Sequence, residues 1–181
     1  MTHYGGKELA ESFRTVRKNT ILVAQDIPES KYSFRAAPDV RSVGELLSHI
    51  AVSHSFQHQI HAKDRRSTLE GFDFMTLMAR LQAEEKTPRS KEQTIEMLQS
   101  SGKEFSEWLE GLSDSFLAEQ VAMPPGAPQT SRSRFEMLLS VKEHEMHHRG
   151  QLMLIERMLG VVPHLTREMQ ARFAAATAAK S

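Results

Sequence analysis

The apolar residues of this chain recur at helical rather than alternating spacing. Between residues 9 and 23, and again between 95 and 112, apolar positions follow one another at intervals of three and four. The seven prolines all fall outside these periodic segments, as expected for a residue that breaks helix interiors. The pattern predicts four main helices at about 6–26, 42–64, 90–111 and 133–159.

The starts of three of these helices carry a capping-box signature, in which a serine is followed three residues later by Glu or Gln. The pairs are Ser42 with Glu45, Ser90 with Gln93, and Ser133 with Glu136. The connection over 65–89 is long, and its segment FDFMTLMARLQAEE can hold a short helix. A connection of that length can run along the bundle, so the second and third helices can be parallel.

Four amphipathic helices in one chain indicate an all-α fold, a four-helix bundle. We expect a single domain over residues 1–181, with a short C-terminal helix after Pro163 in the alanine-rich tail. Strand signals are nearly absent, and no internal repeat is visible.

Composition narrows the classes of function. The 23 basic and 23 acidic residues balance, and no long basic run is present, so we expect no nucleic-acid partner. The N-terminus is polar and lacks a signal core, and the longest early apolar run, ILVA at 21–24, is too short to cross a bilayer. We therefore expect a cytoplasmic protein without a membrane partner. The absence of cysteine excludes disulfides, thiolate metal ligands and a cysteine nucleophile.

The nine histidines of the chain are clustered, and two of them lie on an apolar helix face. In the fourth predicted helix this face consists of Val141, His144, His148, Leu152, Ile155 and Leu159. Two adjacent buried imidazoles cannot easily satisfy each other's ring nitrogens, whereas a metal ion binds one nitrogen from each. The pair therefore predicts a metal site, and the alternative is a hydrogen-bonded pair that binds nothing. His147 lies about 100° from His148 and is excluded as a ligand.

A third ligand has to come from another helix. In the second predicted helix His49 is flanked by apolar residues, and Ser53 one turn later is small enough to leave room for solvent or substrate. His54, His58 and His61 follow at helical spacing and could form a site of their own. Because polar residues surround that trio, we interpret it as a solvated face.

The letters HEMHH contain H-E-x-x-H, the zinc-peptidase pattern, with Glu145 between His144 and His148. The longer motif fails, because Leu154 stands where a third histidine belongs. Glu168 is a conceivable third ligand, but LGVVPH breaks the chain before it. A peptidase is thus a weaker hypothesis than a metal site within a helical bundle. On the helix Glu145 points away from the face of the two histidines, and we predict a solvated surface group.

Two segments resemble the hallmark sequences of the DinB family, small metalloenzyme-like four-helix bundles. They are RSVGELLSHIAVSH at 41–54 and HEMHHRGQLMLIERMLGVVP at 144–163, and the lead-in IPESKYSFRAAPDV is similar as well. The resemblance is weakest over about 65–130.

The family's metal triad has one histidine in LLxH and a pair spaced by four before RGQ. These positions fall on His49, His144 and His148. Within the RGQ segment, Gln151 could orient a histidine or a bound water, and Gly150 could allow close packing of another helix or subunit.

Three neutral histidines would leave a divalent ion with an open position, which suits catalysis. Zinc or nickel is the first expectation for imidazole ligands, with iron or manganese as alternatives. The resemblance implies a thiol-dependent transferase that acts on a small molecule, with a low-molecular-weight thiol as co-substrate, and a homodimer. The competing hypothesis is a non-catalytic metal-binding stress-response protein.

Overall fold

The structure, a computed structural model, describes residues 4–178. Seven α-helices make up most of it: α1 Gly6–Asp26, α2 Val43–His58, α3 Phe74–Glu85, α4 Lys91–Glu110, α5 Asp114–Ala118, α6 Arg134–Met158 and α7 His164–Ala178. A 3₁₀ turn, Glu29–Lys31, follows α1, and α2 continues into a π-helical turn, Gln59–Lys63. The four longest helices agree with the four that the periodicity predicts.

Side chains close the N-termini of three bundle helices as the capping boxes predict. The hydroxyl of Ser42 accepts from the backbone N–H of Glu45, and the Glu45 carboxylate accepts from the N–H of Ser42. Ser90 with Gln93 and Ser133 with Glu136 repeat this arrangement at α4 and α6. Each cap satisfies N–H groups that have no partner within the helix.

Residue contacts give the direction of each helix. The α1 residue Arg14 bonds Ser106, late in α4, while Lys91 at the start of α4 donates to the carbonyl of Ile27 just after α1, so these helices are antiparallel. In contrast, α2 and α4 are parallel, because Leu47 and Leu98, in the first half of each helix, belong to the same core cluster, whereas His58 at the end of α2 contacts Trp108 near the end of α4. The long connection therefore returns the chain along the bundle, as the sequence indicates.

The core consists of three apolar clusters. The smallest is formed by Ile60, Leu69, Val121 and Met137. The two larger clusters lie along the bundle axis. Each contains residues from α1, α4 and α6, and the one that also includes α2 is centred on Ile27, Leu47, Ile50, Leu98 and Leu152. The other is formed around the Phe13 and Phe105 rings, whose centroids are 5.1 Å apart in an edge-to-face arrangement.

Three elements of the connections are additional to the four main helices. The short helix in the 65–89 connection is present as α3, and α5 and a small hairpin lie between α4 and α6. The hairpin strands, β1 Gln120–Ala122 and β2 Ser131–Ser133, are antiparallel, with Val121 opposite Arg132. The expectation of an almost strand-free chain thus missed this hairpin, whose three-residue strands are too short for a visible alternating pattern.

The C-terminal helix begins just after Pro163, as predicted, and the end of the tail at 179–181 lies outside the described residues. Within residues 4–178, none of the helices combines the length and the apolar character needed to cross a membrane.

Candidate metal centre

Three histidine side chains from two helices meet on one side of the bundle. His49 belongs to α2, and His144 and His148 lie one turn apart on the same face of α6. Their potential ligand nitrogens all lie within 4.8 Å of one another. The Nε2 of His144 is 3.2 Å from that of His49 and 3.1 Å from that of His148. No other cluster of His, Asp or Glu side chains suited to metal binding occurs within residues 4–178.

Hydrogen bonds to the outer nitrogens leave lone pairs facing the centre of the cluster. The Nδ1 of His49 lies 2.8 Å from a carboxylate oxygen of Glu85, and the Nδ1 of His148 lies 2.8 Å from Oε1 of Gln151. Since both partners are acceptors, each Nδ1 donates, and each neutral ring keeps its lone pair on Nε2. His144 can donate one proton to at most one of these two nitrogens. The protein alone therefore leaves the cluster unsatisfied.

The separations of these nitrogens fit a divalent cation. Zinc–nitrogen bonds of about 2.0–2.1 Å in a tetrahedral site put neighbouring ligand nitrogens about 3.3 Å apart. The observed separations of 3.2 and 3.1 Å are close to that value. The three imidazoles could hold one ion and leave at least one coordination position for another ligand.

The surroundings keep the three imidazoles uncharged at neutral pH. Burial is the main cause that lowers the pKa of each ring, and for His144 the value falls to about 4. The nearby guanidinium of Arg41 lowers the pKa of all three further, whereas the Glu85 carboxylate acts in the opposite direction on His49. Neutral imidazole is the form that binds a metal.

Glu85 links the histidine cluster to the positively charged guanidinium of Arg41. It is the last residue of α3, its side chain is only 6% exposed, and its carboxylate accepts from Nε of Arg41 at 3.0 Å and from Nη2 at 3.3 Å. The same carboxylate holds His49. A carboxylate behind a histidine fixes the ring's orientation and tautomer, as is usual for metal-binding histidines.

A cavity of about 350 Å³ opens directly onto two of the three histidines, His49 and His144. Residues of α2, α3 and α6, with Arg41, form its remaining walls: Arg41, Val52, Ser53, Phe56, Gln57, Met78, Leu81, Gln82, Glu85 and Ser140. This volume is within the range of small-molecule sites. The third histidine, His148, is buried and does not line this cavity.

Comparison with known families identifies the chain. A family model described as the DinB superfamily matches residues 12–152, a span that contains all three histidines. The chain belongs to the DinB superfamily. The match confirms the resemblance of the two sequence segments, and it extends through the region between them where the resemblance is weakest.

Two solved structures from Bacillus subtilis share the DinB-like fold of the chain. The DinB-like protein YjoA is 21% identical with a TM-score of 0.62, and the match covers 84% of this chain and 92% of YjoA. YfiT, described as a probable metal-dependent hydrolase with an unusual four-helix bundle topology, is 13% identical with a TM-score of 0.66. That match covers 89% of this chain and 91% of YfiT. Comparison with curated proteins found no match.

The peptidase-like glutamate of this DinB chain has a different environment from the one predicted. Glu145 is 1% exposed rather than solvated, and both its carboxylate oxygens accept hydrogen bonds from Arg17, at 3.0–3.1 Å. Arg17 itself is buried and also donates to the carbonyl of Leu98. This doubly bonded carboxylate faces α1 within the bundle. It is not placed to activate water for peptide hydrolysis.

The prediction for Glu145 failed because the buried face of α6 is wider than the face of the two histidines. A bundle helix that packs against two neighbours buries an arc of 100° or more. On α6 this arc includes Leu138, Val141, Glu145, His148 and Leu152, all buried. The sequence offered one signal, since Glu145 is four residues after Val141 and seven before Leu152.

The interpretation of His54, His58 and His61 as a solvated face is wrong for two of the three. His54 and His61 are buried, and only His58 is partly exposed. His61 lies 2.9 Å from Nη1 of Arg134 and 3.0 Å from Gln57, while Nδ1 of His54 has no hydrogen-bond partner among the described residues. The three do not converge, so the geometry gives no second metal cluster there.

The residues around the three histidines were only partly predictable. Gln151 holds His148, one of the two roles considered for it, whereas Gly150 is exposed and no described atom would lie within 4 Å of a Cβ there. Nothing in the sequence indicated that Glu85 and Arg41 lie beside the histidines. They are separated by 44 positions and lie in segments whose polar residues show no distinctive spacing.

Proposed function

We propose that this DinB chain binds one divalent ion through His49, His144 and His148 and uses it to catalyse a reaction on a small molecule. The observation that carries the proposal is the cavity of about 350 Å³ whose wall includes two of the three ligands. A site that only stores metal or responds to stress needs no such opening. Zinc or nickel is the first candidate, and iron or manganese can also bind imidazole.

The reaction that we propose is thiol-dependent group transfer. A bound divalent ion lowers the pKa of a thiol or water toward neutrality and polarises a carbonyl. Because the chain has no cysteine, the thiol would come from a low-molecular-weight co-substrate. Glu85 and Gln151 hold two of the imidazoles in the tautomer that directs Nε2 to the centre. The uncharged groups of Ser53, Gln57 and Ser140 could hydrogen-bond the substrate within the cavity.

Hydrolysis is the second candidate, because the structurally similar YfiT is described as a probable metal-dependent hydrolase. The same arrangement of residues would then position water in place of a thiol. Peptide hydrolysis by the H-E-x-x-H mechanism is a different proposal, and the Arg17–Glu145 pair argues against it.

We further propose a homodimer, as the family resemblance implies, that acts in the cytoplasm, where thiols are kept reduced. The candidate dimer surface is a stripe on α6 at four-residue intervals, composed of Met146, Gly150, Leu154 and Met158. The three apolar side chains are 44–61% exposed, and the glycine between them would allow a second copy to approach closely.

The experiment that tests the catalytic proposal is an assay of metal-loaded protein against electrophiles with and without low-molecular-weight thiols. Thiol-dependent turnover that disappears in His148→Ala supports transfer, and turnover without thiol supports hydrolysis. A peptide library is the control, and cleavage of peptides that is lost in Glu145→Gln would restore the peptidase hypothesis. No turnover in any arm would favour the non-catalytic alternative.

A further inference from the structure

The charged groups that line the cavity are few and lie together. Among the described residues in its wall, only Arg41 and Glu85 carry charge at neutral pH, and they are paired with each other. Their charges cancel, and the three neutral histidines contribute none. An ion held by those histidines would therefore leave its full positive charge at this end of the cavity.

The guanidinium of Arg41 has hydrogen-bond donors that Glu85 does not use. Its Nε and Nη2 bond the two oxygens of Glu85, while its Nη1 makes no hydrogen bond to any described residue. The side chain is 37% exposed, so solvent or a ligand can reach it. Guanidinium is planar and has five N–H donors, so it can hold a second carboxylate alongside the first.

The wall beyond the charged pair is mainly apolar. Val52 and Phe56 of α2 and Met78 and Leu81 of α3 line it, so both helices contribute apolar side chains to the cavity. A ligand that fills this space would place an apolar body between the two helices. Its polar end would lie beside Arg41 and the histidine cluster.

We infer that the substrate class is a small organic acid with an apolar body, and that Arg41 determines this specificity by binding the carboxylate. The inference rests on the proposed function, which assigns the cavity as the substrate site. Arg41 does not hold the ion, so the effect of replacing Arg41 on ligand binding can be measured both with and without metal.

The test is calorimetric titration with an acid and its uncharged counterpart, 3-phenylpropanoate and 3-phenylpropanamide. The samples are wild type, Arg41→Gln, and the double variant Arg41→Gln/Glu85→Gln, which leaves the formal charge of the cavity unchanged. Arg80→Gln is the control, because Arg80 is an exposed arginine on α3, the helix that carries Glu85, and is not among the cavity-lining residues. Each protein is titrated metal-free and loaded with zinc, and its metal content is measured.

We expect wild type to bind the acid about ten-fold more tightly than the amide, the size of one charge-assisted contact, in both metal states. In metal-free protein the ratio should fall to near one in both Arg41 variants and remain unchanged in Arg80→Gln. Equal affinities in wild type, failure of both probes to bind, or selectivity retained in the double variant would overturn the inference. Selectivity present only with zinc would assign the carboxylate to the ion and overturn the role of Arg41. Metal content on the same samples reports separately on the proposed metal site.

Discussion

The Nδ1 of His49 donates a hydrogen bond to the carboxylate of Glu85, 2.8 Å away and 36 positions later in the chain. This bond joins α2 to α3, the helix within the long connection. It gives that connection a role beyond returning the chain along the bundle, because α3 supplies both a partner for a candidate ligand and one wall of the cavity.

Replacing Glu85 should weaken metal binding without unfolding the protein. Loss of a carboxylate behind a metal-binding histidine typically costs about 10–100-fold in affinity. We expect Glu85→Gln to show a decrease of that size in a competition titration with a chelator. Glu84→Gln is the control, since Glu84 is its exposed neighbour and bonds Arg89 instead. Equal affinity in Glu85→Gln and wild type would show that this carboxylate does not support the site.

Replacing Glu145 should affect stability rather than the metal. Removal of one partner from a buried ion pair costs about 3–5 kcal/mol, because the remaining charge is left uncompensated. Glu145→Gln keeps the shape of the side chain and would leave Arg17 as that charge, so we expect a decrease of about 3 kcal/mol in the free energy of unfolding by urea. Metal content should be unchanged in the folded variant. Glu143→Gln, an exposed change on α6, should have little effect on stability. A Glu145→Gln protein as stable as wild type would contradict this account of the buried pair.

His54 should make the protein less stable in acid. Burial, and to a smaller extent the charge of Arg17, lowers the pKa of its imidazole to about 3. Below about pH 6.5 the unfolded chain binds a proton at this position that the folded chain does not, so stability should fall as the pH decreases from about 6.5 toward 3. Unfolding free energies at several pH values should therefore have a shallower pH dependence in His54→Leu than in wild type. An identical slope in the variant would rule out this contribution. His147→Gln, at an exposed position, serves as the control.

The proposed dimer can be tested through the exposed stripe on α6. A charge at its centre should prevent two apolar surfaces from packing, since burying an unpaired carboxylate is costly. We expect wild type to have the mass of a dimer by light scattering and Leu154→Glu that of a monomer. Met75→Glu introduces the same charge at a position that is 80% exposed on α3, and it should remain dimeric. A monomeric wild type would contradict the proposal directly, and a dimeric Leu154→Glu would move the interface elsewhere.

Periodicity and capping signals involve residues close together in the sequence, so the positions of the main helices were predictable from them. The hydroxyls of Ser42, Ser90 and Ser133 act within three residues of their partners, so their sequence spacing was sufficient to predict the helix starts. The proximity of His144 and His148 was predictable for the same reason, because one turn of a helix brings the two rings together. The resemblance to the family then singled out His49 on another helix.

Pairings between distant segments were not predictable in this way. Arg17 and Glu145 are 128 positions apart, and no periodic pattern in α1 or α6 indicates that an arginine and a glutamate neutralise each other in the core. His54 and His61 likewise occur in a polar sequence, and their burial depends on Phe105 and Arg134 from other helices. Sequence periodicity indicates which face of a helix is apolar. The width of the buried face depends on how many neighbours the helix contacts.

The central claim is that His49, His144 and His148 together hold one divalent ion. Elemental analysis of protein purified without added metal, for wild type and for the three single alanine variants, tests this claim most directly. His147→Ala is the matched control, since His147 is adjacent in sequence but exposed. We predict about one ion per chain in wild type and in His147→Ala, and a large loss of metal in each of the three ligand variants, with folding checked by circular dichroism. Full occupancy in folded His144→Ala or His148→Ala, or wild type that binds no ion even when supplied with zinc or nickel, would contradict the account.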